Sequence, residues 1–161
     1  MVIIIGTSHS IQLTSDKLKY FLEDLCRVHN ISAVVEEMNS DTLEEKDCSA
    51  SIPMQVARFL GVLHLFCDPS RAEQVRLDIL QENDIRAQGF LRNWFEEEIQ
   101  QRIAKSHAKR ERYWFDQLRD LDQWPILFIC GADHVKSFSL LLEKNGIEVH
   151  IAARDWSPEI N

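Results

Sequence analysis

Residues Trp124–Ile151 read WPILFICGADHVKSFSLLLEKNGIEVHI. Ile126–Cys130 is a short, unbroken apolar run between Pro125 and Gly131, the pattern of a strand buried on both faces of a parallel sheet. Gly131 permits a tight turn, and His134 falls where the strand hands over to a helix. Phe138, Leu141 and Leu142 then recur at helical spacing, and Asn145-Gly146 supplies a left-handed stop. Ile147–Ile151 returns as a strand. The unit is strand, turn, helix, strand, with one histidine at its mouth.

The start of the chain repeats this phrase. Val2–Ile5 is a buried-type strand, and Gly6-Thr7-Ser8-His9 repeats the G-x-x-H turn. Thr14–His29 follows as an amphipathic helix, with Leu18, Phe21, Leu22 and Leu25 on one face and Thr14 or Ser15 as N-cap. Ile31–Val35 is the second strand. Met38–Ser51 is polar and acidic and reads as a surface loop. Pro53 suits the first turn of a helix that Gly61 stops. Val62–Cys67 is the third strand, and Asp68-Pro69 reads as the N-cap of a helix through Gln81.

Glu82–Leu121 has the periodicity of one or two long amphipathic helices. Phe90, Trp94, Ile99, Ile103, Tyr113, Trp114, Leu118 and Leu121 are its expected core side chains, and KSHAKRERYW its expected solvated basic face. The whole reads as α/β: one domain over residues 1–161, with a mainly parallel five-stranded sheet flanked by helices and a helical insertion at about 82–122.

Composition narrows the function classes. The 161 residues are enough to bury a sizeable core, and 45% hydrophobic with 27% charged residues is ordinary for a globular protein. A net charge of −8 argues against nucleic acid or an anionic membrane as partner. The four cysteines form no CxxC pair, as expected for reduced thiols in a cytoplasmic protein. The first residues lack a basic leader pattern and read as a strand. Neither a P-loop nor a G-x-G-x-x-G pattern is present.

Polar chemistry gathers at the carboxyl ends of the expected strands, where parallel sheets bind ligands. These ends carry His9, Glu36 and Glu37, Asp68, His134, and Arg154-Asp155. One of Glu36 and Glu37 must point away, because strand side chains alternate. Glu36 closes the strand after the first helix, so a right-handed crossover is expected to bring it beside His9. Mid-strand His64 is expected to be a satisfied core or edge residue. Two imidazoles with carboxylates can hold a divalent metal with a position open for water. Without metal, a His–Glu pair can deprotonate water while the second histidine protonates a leaving group.

GTSHSIQ, VVEEM and ICGADHVKSFSLLLEKNGIEV resemble the core motifs of the Tiki/TraB/erythromycin-esterase superfamily, which includes haem-binding ChaN proteins. His9, Glu36 and His134 match its two G-x-x-H-type turns and the Glu closing its second strand. Arg110-Glu111-Arg112-Tyr113-Trp114 is similar to its R-[DE]-x-x-M helix motif, with Trp114 in place of Met. The resemblance implies hydrolysis of an amide or ester bond in a small-molecule or peptide substrate, with or without a divalent metal. It implies catalytic roles among His9, Glu36 or Glu37, Glu111 and His134, with Arg110 facing the substrate; Asp68, at a strand end, is a further substrate-contact candidate. A metal would be held by His9, Glu36 and His134. Two other readings use the same residues: a haem- or nucleotide-like-ligand binding protein, and an interaction module built on the tryptophans of the long helices.

Overall fold

The computed structural model describes residues 1–159. Strands β1 (Val2–Gly6), β2 (Ala33–Glu36), β3 (Leu63–Phe66), β4 (Ile126–Cys130) and β5 (Val149–Ala153) form one sheet in the order β3-β2-β4-β1-β5. Every neighbouring pair is parallel, so the expected sheet is parallel throughout. β4, the apolar run of Ile126–Cys130, lies at its centre with all five residues buried.

The helices are α1 (His9–Thr14), α2 (Asp16–Val28), α3 (Ser40–Glu45), α4 (Ile52–Leu60), α5 (Arg71–Leu77), α6 (Glu82–Arg92), α7 (Glu96–Arg119) and α8 (Val135–Lys144). Strand alternation sorts the core into two layers. Ile3, Ile5, Val34, Leu127 and Ile129 pack against Leu18 and Leu22 of α2 and Val56 and Ala57 of α4. Val2, Ile4, Val35, Phe128 and Cys130 pack against Trp114, Phe115 and Leu118 of α7 and Phe138 and Leu142 of α8. Trp114, Phe128 and Phe138 lie with ring centroids 4.6–5.6 Å apart, and each buried ring contributes on the order of 1.5–3 kcal/mol.

β1→β2→β3 steps outward beneath α2 and α4, and the chain returns through β4 and β5 beneath α7 and α8. Helices on opposite faces are what right-handed crossovers require for steps in opposite directions. The chain after β1 therefore turns to one face and the chain after β4 to the other. A crevice opens between these two adjacent strands at their carboxyl ends, as in other doubly wound sheets.

Local signals act mostly as expected. Ser15 caps α2 by accepting from the Leu18 N–H, Ser51 caps α4, and Gly61 ends α4 at φ 69°. Gly6 meets a different demand: a Cβ there would collide with the Arg154 carbonyl and the Val135 side chain. The first G-x-x-H glycine thus lets β5 and α8 close over the strand end.

Three expectations fail locally and one open choice is decided. Ser70, not Asp68, caps α5, through a capping box with Glu73. The Met38–Ser51 loop contains α3, because Asn39 Oδ1 accepts from the Thr42 N–H 2.9 Å away and starts a helical turn. The insertion divides at Asn93, which adopts a left-handed φ of 54°. Phe90, expected in the core, is 83% exposed beside that turn, as is its neighbour Phe95 at 81%; α6 and α7 meet instead through Ile85, Ile99, Ile103 and Trp94.

Candidate functional site

Strand phase decides which residues reach the crevice. Val35 faces α7 and Val34 faces α2, so Glu36 follows Val34 and Glu37 follows Val35. Glu36 is fully buried on the α4 side, where Oε1 accepts from Ser51 Oγ and lies 2.7 Å from His64 Nε2. Glu37 turns to the α7 side. Its Oε2 accepts from the Gly131 N–H at 2.6 Å and its Oε1 from Arg110 Nη1 at 3.3 Å.

His134 stands between two carboxylates. Its Nδ1 is 2.8 Å from Glu111 Oε1, which also accepts from Ser137 Oγ at 2.6 Å. Its Nε2 is 3.6 Å from Glu37 Oε1. Burial opposes the charge of this imidazole. The Glu111 hydrogen bond and the charges of Glu37 and Glu111 outweigh that penalty and raise its pKa above the usual histidine value.

Arg110 carries the row onward. Its Nε lies 3.2 Å from Asp68 Oδ1 without making a hydrogen bond, and Trp114 Nε1 donates to the same oxygen at 3.2 Å. Burial pushes the Asp68 carboxyl up to about 6, against the lowering effect of Arg110. Asp68 is thus a partner of Arg110 and not a helix cap.

Glu37, Arg110 and His134 border one cavity of about 360 Å³, whose walls also include His9, His107 and Gly131. A second cavity of about 570 Å³ shares His9 and Arg110 and adds Asn39, Asp68 and Gln74. His9, the first residue of α1, is exposed at the mouth of both. The two G-x-x-H histidines therefore share a cavity, as pairing of β1 with β4 (Gly6 opposite Cys130) requires.

Glu36 is the correction. β2 pairs with β4 rather than β1, so the crossover does not bring Glu36 beside His9, and its side chain serves the opposite face. The ligand set His9, Glu36 and His134 does not assemble. Among the described residues no three His, Cys, Asp or Glu side chains gather as a metal-holding group. The donor set present does not fit the metal-assisted branch of the resemblance. Leu80 and Ala132 are the aliphatic side chains on this wall.

Two contributors escaped the sequence reading. The Gly131 N–H holds Glu37, making the second G-x-x-H glycine a donor as well as a turn. His107, assigned to a solvated basic face, packs against His134 with ring centroids 4.2 Å apart. Its spacing was the missed signal: residues 107, 110, 111 and 114 fall at i, i+3, i+4 and i+7 on one face of α7. No family model, curated protein or solved structure matches the chain.

Proposed function

We propose that the protein is a hydrolase of amide or ester bonds in a small-molecule or peptide substrate, working by acid–base chemistry. The observation that carries this reading is His134, held between Glu111 and Glu37 on the wall of the cavity. Two buried carboxylates bind the proton of this histidine more tightly than water would, which places it as a proton donor.

Glu111 orients the ring through Nδ1. Glu37 is engaged by Arg110 and the Gly131 N–H, which makes it a fixed negative charge rather than a base. Water adds to the acyl carbon, its proton passes to a neutral base on the wall, and His134 Nε2 gives its proton to the leaving oxygen or nitrogen. Arg110 keeps N–H groups beyond its bond to Glu37, available to an anionic oxygen of the substrate.

The test is a panel of p-nitrophenyl esters and aminoacyl p-nitroanilides, assayed with the wild type and with Glu111→Gln and His134→Gln, each checked for folding by circular dichroism. Hydrolysis by the wild type that falls about 10²-fold or more in folded variants supports the reading. An inert wild type, or variants as active as the wild type, overturns it.

A further inference from the structure

We propose that His107 is the base of this hydrolysis, the group that takes the proton of the attacking water; the assignment rests on the hydrolase reading. His107 lies on the wall of the cavity that holds His134 and also borders an adjoining cavity of about 350 Å³. Its ring is tilted 49° to that of His134 at 4.2 Å. It is half-buried on that wall, and among the described residues none hydrogen-bonds to it.

Two carboxylates beside His134 are committed elsewhere. Glu37 accepts from Arg110 and Gly131, and Glu111 accepts from Ser137 while it holds His134. His9 is exposed at the mouth rather than packed beside the donor. The charges facing His107 come from His134, Glu111, Arg110 and Glu37. Burial and the His134 charge lower its pKa, while that of His134 is raised. Two adjacent imidazoles driven apart in this way divide the roles of base and acid.

The step balances without a further reactant. The water oxygen bonds to the acyl carbon as one of its protons moves to a ring nitrogen of His107. The bond from carbon to the leaving atom breaks as that atom takes the Nε2 proton of His134. The products are a carboxylic acid and an alcohol or amine. His107 then holds the extra proton and returns it to His134 through solvent.

The experiment compares His107→Ala and His107→Phe with the wild type on whichever panel ester or anilide the wild type cleaves best. The phenyl ring keeps the packing and removes the nitrogens. Expected are a fall in kcat of about 10²–10³ for both variants with little change in KM, thermal midpoints near wild type for His107→Phe, and partial recovery of His107→Ala by added free imidazole. Wild-type rates in His107→Phe would show a packing role only and overturn the assignment while leaving the hydrolase reading intact. Failure of imidazole to restore a folded His107→Ala would also overturn it. An inert wild type would overturn both.

Discussion

Glu36 and Glu37 are neighbours in the chain but belong to opposite faces of the sheet: one joins Ser51 and His64 beneath α4, the other joins Arg110 and the Gly131 amide against α7. The pair therefore separates structure from chemistry. Glu36→Gln should keep kcat within about twofold and lower stability by on the order of 1–3 kcal/mol, the cost of weakening buried hydrogen bonds. Glu37→Gln should lose hydrolysis by about 10²-fold, because the charge that helps hold His134 protonated disappears. Steady-state kinetics and urea unfolding on both variants check this, and equal activity losses would contradict it.

The His134 imidazole should titrate above its ordinary value of 6.5 in NMR spectra of the wild type. Glu111→Gln should bring it down, since a neutral amide no longer stabilises the cation. A pKa raised on folding means that the folded state binds the proton more tightly. The resulting stability is complete below the unfolded value and is lost as pH climbs through the folded one. Unfolding curves should accordingly show a smaller loss on the alkaline side of 6.5 in Glu111→Gln than in the wild type.

His134→Ala should destabilise as well as inactivate. His134 sits at a strand-end rim, yet it is only 5% exposed and lies between two buried carboxylates. Removing it leaves Glu111 with only the Ser137 hydroxyl and Glu37 with Arg110 and the Gly131 amide, a change on the order of 3–5 kcal/mol. Leu127→Ala, in the centre of β4 on the α2 side, should cost about 2–5 kcal/mol while kcat of the folded fraction stays at the wild-type value. Calorimetry with kinetics on the same preparations separates the two.

Gly6→Ala should be worse than Gly61→Ala. At Gly61 only a left-handed φ of 69° is at stake, with open space around the added methyl, so about 1–2 kcal/mol is expected. At Gly6 the methyl meets the Arg154 backbone and Val135, which must move, and overpacking of that kind costs about 1–3 kcal/mol or more. It should also disturb the cavity, since Thr7 and Asp155 on its wall flank the displaced contact. Thermal midpoints rank the two variants; Gly61→Ala falling further than Gly6→Ala would contradict the expectation.

The parallel sheet was legible because unbroken apolar runs such as Ile126–Cys130 have few other uses, and the two G-x-x-H turns because each follows such a run. Strand order was not. Nothing local to Val2–Ile5 or Ile31–Val35 says that β4 inserts between them, and that insertion is what removes Glu36 from the vicinity of His9. The choice between Glu36 and Glu37 depends on the phase of the alternation relative to α7, a tertiary fact. His107 was readable from its spacing to Arg110, Glu111 and Trp114, but its lysine and arginine neighbours made the segment look like a solvated face.

α7 carries His107, Arg110 and Glu111 on one rigid rod, whereas Glu37 and His134 belong to the strand ends. The crevice is therefore a seam between two mechanical parts, joined by Trp114, Phe115 and Leu118 against the sheet. A slip of the rod by one helical turn, about 5.4 Å, would part Glu111 from His134 and Arg110 from Glu37 in the same movement. Both contacts thus depend on the seating of one helix.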